Sequence, residues 1–123
     1  MHKFTIYGKA QAKQRPRFTK GGHIYTPQET LQYENVVRYS YIASKGKCYE
    51  NALKMRVVVF YATKYKNKKG QYRIERPDLS NIVKSIEDGL NGVAYKDDAQ
   101  IVVLEAEKRY GDEFKVEVEI SEV

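Results

Sequence analysis

The chain has 123 residues, 41% of them hydrophobic and 31% charged. That is the size of one domain over residues 1–123, with apolar content enough for a packed core, and it excludes a chain too polar to fold. A net charge of +6 fits a polyanionic partner such as nucleic acid or an anionic membrane surface. No apolar run approaches the ~20 residues that cross a bilayer, so no membrane span is expected. The lone Cys48 excludes an internal disulfide and a cysteine-based zinc site, and it points to a reducing, cytoplasmic compartment. Met1-His2-Lys3 leads straight into a strand-like run, so no signal peptide is expected.

Lys3 to Tyr7 alternates apolar and polar residues and predicts a strand. Gly8 to Thr26 holds Lys9, Lys13, Arg15, Arg17, Lys20 and the turn Gly21-Gly22 without any helical or strand period, and reads as a long loop. Thr26 as N-cap, Pro27 at the first helical position and Glu29 three residues after Thr26 open a helix. The spacing of Leu31, Val36, Val37, Tyr41 and Ile42 carries it to about Ser44, and Gly46 ends it. Leu53 to Ala62 is β-branched, aromatic and apolar, a buried strand. Thr63 to Arg73 is a second basic loop, and a second helix follows Pro77. Ile101 to Arg109 and Phe114 to Ile120 both alternate; Tyr110-Gly111-Asp112-Glu113 between them predicts a β-hairpin. The order β-α-β-α-β-β assembles most simply as a single α+β domain, a four-stranded mixed sheet with two helices.

The chemistry gathers between Arg76 and Gln100. Leu79, Ile82, Val83, Ile86 and Leu90 form one apolar stripe of the second helix, and Asn81, Lys84 and Asp88 lie on another face. Asp78, at the helix start, reads as an N-cap or as a metal ligand. Lys84 and Asp88 read as an ordinary surface pair, worth ~0.3–0.5 kcal/mol, or as functional groups. Base before acid is the weaker order for such a pair. Glu87 and Asp88 sit at the negative end of the helix dipole, and Gly89 in the last turn costs up to about 1 kcal/mol relative to Ala. Local losses of this kind are expected on a functional face. Asn91-Gly92 turns the chain back to Asp97-Asp98, which read as a polar turn or as ligands. Neighbours on a strand point to opposite faces, so these two are not expected to serve one ion equally. Carboxylates from a helix start and a strand start suit Mg²⁺, with Mn²⁺ able to take its place: the ion accepts oxygen ligands, water and phosphate oxygens. Lys84 adds a positive charge for a scissile phosphate or a departing 3′ oxygen. His2 and His23 lie outside this region, and there is no phosphate-cradling glycine loop.

Arg76-Pro77-Asp78-Leu79, Asn81, Lys84, Asp88, Leu90-Asn91-Gly92 and Lys96-Asp97-Asp98-Ala99-Gln100 together resemble the RusA family of Holliday-junction resolvases. The basic Lys13-Gln14-Arg15-Pro16-Arg17-Phe18-Thr19 run extends the similarity. The resemblance implies a small α+β homodimer that cuts four-way DNA junctions symmetrically in recombination and repair, with divalent metal held by aspartates and an essential lysine. By position, the first catalytic aspartate is Asp78, the lysine Lys84 and the later aspartate Asp98. The family's D-x-D-N pattern has its second acid where this chain has Ser80, followed by Asn81. Either the site runs with fewer carboxylates, Asp88 or Asp97 makes up the deficit, or activity is reduced.

Lys13, Arg15, Arg17 and Lys20 in the first loop, and Lys64, Lys66, Lys68, Lys69, Arg73 and Arg76 beside the acidic helix, are expected to form a phosphate-binding rim, against the plainer reading of solvated loops. Phe18, His23, Tyr25, Tyr65 and Tyr72 lie among these bases, where aromatic rings can stack on unpaired bases. Two rivals stand beside a Mg²⁺-dependent junction endonuclease. One is a branched-DNA-binding protein of the same fold with weakened or lost catalysis; the other is a basic structural protein whose aspartates only cap and turn.

Overall fold

A computed structural model describes residues 1–14, 17–18, 20–25 and 28–123, with residues 17, 18 and 25 described by their backbone alone. The expected N-cap Thr26, the expected first helical residue Pro27, the basic Arg15, and the side chains of Arg17, Phe18 and Tyr25 lie outside the described residues. In chain order the elements are β1 (His2–Tyr7), β2 (Arg17–Phe18), β3 (Ile24–Tyr25), α1 (Gln28–Ala43), β4 (Leu53–Ala62), α2 (Leu79–Leu90), a 3-10 turn (Asp98–Gln100), β5 (Ile101–Gly111) and β6 (Lys115–Glu122). Among the described residues no helix is long and apolar enough to cross a membrane.

The domain is α+β, as expected, with a four-stranded sheet in the order β1-β6-β4-β5. β5 runs parallel to β4; β6 is antiparallel to both β1 and β4. β2 and β3 pair with each other inside the stretch expected to be loop. Strands of two residues each leave no period for a sequence pattern to reveal.

The expected hairpin does not form. β5 and β6 follow one another in the chain, but β4 lies between them, pairing Ala62 with Gly111 on one side and Phe60 with Lys115 on the other. The connection arches over the end of β4, where the Thr63 N–H donates to the Gly111 carbonyl at 3.0 Å. Strands one removed in a sheet lie about 9.5 Å apart, within the ~13 Å that the connecting residues can span. A short polar turn between alternating strands therefore admits either arrangement.

One face of the sheet is apolar. Phe4 and Ile6 of β1, Leu53, Met55, Val57, Val59 and Tyr61 of β4, and Val116, Val118 and Ile120 of β6 are buried in one cluster with residues of both helices. The other face is mostly polar, with Lys3–Glu119, Lys54–Glu105 and Arg56–Glu107 ion pairs beside Val58 and Phe60 of β4. The α2 stripe packs as expected: Ile82, Val83, Ile86 and Leu90 are buried. The α1 expectation needs correction. Val37 and Tyr41 are buried, but Leu31, Val36 and Ile42 are exposed, and Thr30 and Tyr33 complete the inward row. Apolar residues occupy both faces of this helix, so hydrophobicity alone does not choose between them. α1 ends at Ala43; Lys45 then takes the left-handed conformation at φ 62°, and Gly46 lies where a Cβ would strike the Tyr41 ring.

Candidate active site on helix α2

Two cations hold the segment that leads into α2. The Lys108 ammonium donates to the carbonyls of Glu75 (2.7 Å) and Pro77 (2.8 Å). Arg73 donates to the carbonyls of Glu75 (3.2 Å) and Arg76 (2.7 Å), with its guanidinium 3.8 Å from the centre of the Tyr61 ring. Asp78 then occupies the N-cap position, at φ −67° and ψ 133°, and its carbonyl accepts from Asn81 and Ile82. Its carboxylate caps nothing and stays exposed. The capping role that competes with ligand duty at Asp78 is thus filled in position but not in bonding. Ser80, Lys84 and Asp88 follow at successive turns of one face.

At the other end of α2 the chain doubles back. Asn91, at φ −58° and ψ 127°, precedes Gly92 at φ 85°, a type II pattern that requires glycine at its second position. The return is fixed by Gln100. Its Oε1 accepts from the backbone of Lys96 and Asp97, and its Nε2 donates to the carbonyls of Tyr49 and Asn51. Asp97 caps the 3-10 turn by accepting from the Ala99 N–H at 3.0 Å. That bond is the first cause that holds its carboxyl below the usual range. Asp98 faces the helix, with Oδ2 3.4 Å from the Lys84 ammonium. Asp97 and Asp98 lie in a capped 3-10 turn and not on a strand, and it is this turn that sets Asp97 to cap and Asp98 to meet Lys84.

Lys84 also lies 3.3 Å from Asp88 Oδ1. Asp88 Oδ2 in turn takes the Lys13 ammonium at 2.7 Å, and Lys13 reaches Glu34 Oε2 of α1 at 3.0 Å. Partial burial opposes the charge on both lysines, but their carboxylate partners outweigh it and both pKa values rise. Glu87 is pushed up, first by burial and next by the Asp98 charge. A local excess of negative charge thus stands in a chain of net +6.

The donors available at this site are hard oxygens. They are the Asp78 carboxylate and Ser80 hydroxyl at the start of α2 and, from the turn before β5, the Asp98 carboxylate that meets Lys84; no histidine or cysteine lies between Arg76 and Gln100. That set suits Mg²⁺ or Mn²⁺ and not zinc. Among the described residues no three His, Cys, Asp or Glu side chains converge as a ready cage. Mg²⁺ does not need one, since it is commonly held by one or two carboxylates with water and phosphate oxygens filling the rest.

The basic candidates divide. Lys13 and Arg73 are committed within the protein as described, and Lys69 pairs with Asp112 at 2.5 Å. Lys68 lies over the Tyr65 and Tyr110 rings. Lys20, Lys64, Lys66 and Arg76 are exposed. Of the aromatics, Tyr65 and Tyr72 are exposed, and Tyr72 lies beneath the Arg109 guanidinium at 4.2 Å. Gly89, read as a cost borne by a functional face, has a packing reason instead. A Cβ there would lie 2.8 Å from the Glu34 carbonyl oxygen and 2.8 Å from Val37 Cβ, so α1 and α2 approach closely at that point. Sequence reasoning missed Lys108 and Glu34, which act from other elements and carry no local signal.

The family model described as Endodeoxyribonuclease RusA matches residues 8–121, which takes in the whole constellation. The chain belongs to the RusA endodeoxyribonuclease family. Over 80 residues it is 41% identical to the "Crossover junction endodeoxyribonuclease rusA" of Lactococcus phage r1t, a match covering 63% of this chain and 61% of the phage protein. It is also 34% identical over 138 aligned positions to the "Uncharacterized protein YqaN" of Bacillus subtilis (strain 168), covering 98% of this chain and 96% of that protein.

Proposed function

We propose that this protein is a divalent-metal-dependent endodeoxyribonuclease that resolves four-way DNA junctions in the cytoplasm, during recombination and repair. The observation that carries this reading is the Lys84 ammonium held 3.4 Å from Asp98, on the helix whose first residue follows an uncommitted Asp78 carboxylate. The phage relative's name, a crossover junction endodeoxyribonuclease, supports the substrate.

Asp78 and Asp98 would hold the metal, with Ser80 and Asn81 beside them and Asp97 fixing the loop. When bound, the metal supplies Lewis-acid polarisation of the phosphodiester and compensates charge on the leaving oxygen. Lys84 stays protonated and presents a fixed positive charge to the scissile phosphate or the departing 3′ oxygen. Lys20, Lys68 and Arg76, with Arg15 and Arg17, would bind flanking phosphates and hold the strand in register. Paired, symmetric nicks require two matching sites, which a two-fold homodimer provides.

The test is cleavage of a labelled four-way junction and of its linear duplex with Mg²⁺ or Mn²⁺. Symmetric nicks in the junction alone are expected; equal cutting of duplex would remove the substrate assignment. One observation favours a second reading: Ser80 stands where the family pattern has an acid. A binding protein of the same fold with lost catalysis would hold the junction tightly and cut it in neither metal.

A further inference from the structure

Resting on that reading, we propose that Asp88 and Lys13 are positioning residues for Lys84, and that they are neither a metal ligand nor a phosphate contact. Asp88 has one oxygen on each of two lysines: Oδ1 on Lys84 at 3.3 Å and Oδ2 on Lys13 at 2.7 Å. A cation at Asp88 would have to displace an ammonium and sit beside two positive charges. The carboxylate is therefore spent on the lysines.

Lys13 is bound by both helices. Its backbone N–H donates to the Asn81 carbonyl of α2 at 2.9 Å, its ammonium meets Asp88 further along the same helix, and Glu34 of α1 takes that ammonium at 3.0 Å. The next residue, Gln14, donates its N–H to Thr30 Oγ1 at 3.1 Å. The segment after β1 is thereby strapped across both helices by the first two residues of the basic run. Gly89 makes the strap possible. With no Cβ there, α1 lies close enough to bring Glu34 beside Asp88, and the Lys13 charge compensates both acids.

The consequence is mechanical. The exposed Lys84 has several rotatable bonds, and a lone lysine there would sample many rotamers. Asp88, itself fixed from behind by Lys13, holds the ammonium on one side while Asp98 meets it on the other. The charge then waits where the phosphate would arrive, with no rotamer search at the moment of reaction.

The experiment compares Asp88→Asn, Asp88→Glu and Lys13→Met with wild type. Three quantities are read: kcat and KM for junction cleavage, the Mn²⁺ concentration for half-maximal rate, and junction affinity against salt in EDTA. Asp88→Asn and Lys13→Met are expected to lower kcat roughly 10- to 100-fold, with KM and Mn²⁺ half-saturation unchanged. Asp88→Glu recovers part of the rate. Lys13→Met keeps the wild-type salt slope. A tenfold rise in Mn²⁺ half-saturation in either Asp88 variant would make Asp88 a ligand. A salt slope shallower by about 0.9 for Lys13→Met would make it a phosphate contact. Either result, or a wild-type kcat for Asp88→Asn, overturns the proposal. If Asp88→Asn does not fold, Asp88→Glu carries the same three readings. If the wild type cuts no junction in any metal, the resolvase reading fails by itself. Positioning is then read without DNA or metal, from the NMR signal of reductively ¹³C-methylated Lys84. It should be distinct from the other lysines in the wild type and merge with them in Asp88→Asn; an unmoved signal refutes the positioning role.

Discussion

The Lys84 ammonium lies 3.4 Å from Asp98 Oδ2, a contact between the middle of α2 and the turn that opens β5. It joins the two halves of the proposed site, and it depends on Gln100 for the turn and on Asp88 for the lysine. Lys84 is half exposed, so the contact contributes little to stability; exposed pairs are worth about 0–1 kcal/mol. Lys84→Met is accordingly expected to unfold within a few degrees of wild type, while junction cleavage falls about 10²- to 10³-fold, as for loss of one preorganised electrostatic group. Thermal denaturation alongside single-turnover cleavage checks both halves.

Gly89→Ala separates packing from helix propensity. Alanine is better by ~1 kcal/mol in a helix interior. Here its Cβ would meet the Glu34 carbonyl oxygen and Val37 at 2.8 Å, and overpacking of that kind costs about 1–3 kcal/mol. The variant is expected to be less stable by urea denaturation. A gain in stability would mean that the helices have room to separate.

Glu87 makes stability depend on pH. Burial and the Asp98 charge raise its pKa in the folded state above the ordinary 4.5. A carboxyl raised on folding favours the folded state when protonated, and that contribution is lost as pH rises through the raised value. Glu87→Gln should therefore be more stable than wild type at pH 7, with the difference shrinking as pH falls towards 4.5. Melting temperatures of the two proteins across that range test the sign.

Lys108 holds the carbonyls of Glu75 and Pro77 and so fixes the approach to Asp78. Lys108→Met frees the part-buried Pro77 carbonyl to find water and leaves the exposed Glu75 carbonyl to Arg73. Faster amide exchange around Leu79 to Ile82 and cleavage reduced about 10-fold are expected. Unchanged exchange would show that Arg73 holds the segment alone.

Much of this was legible in the chain itself. The α2 stripe and the buried β4 follow from local spacing, because each depends on residues within a few turns, whereas the roles expected of Asp78, Lys84 and Asp98 come from the family resemblance. What was not legible depends on distant partners. The insertion of β4 between β5 and β6 leaves no mark on either strand's alternation. The inward face of α1 is chosen by Thr30 and Tyr33, which rank below the exposed Leu31 and Ile42 in hydrophobicity. Lys13 reads as one base among several in a loop, and only the packing of α1 against α2 commits it to Glu34 and Asp88.

The central assignment is that Asp98 is indispensable to a metal-dependent cut. Asp98→Asn keeps the side chain's shape and removes its charge, so the most direct measurement is its single-turnover cleavage of a four-way junction at saturating Mn²⁺, with junction affinity in EDTA measured alongside. Cleavage reduced at least about 10³-fold with affinity intact is expected. Cleavage at the wild-type rate would contradict the assignment.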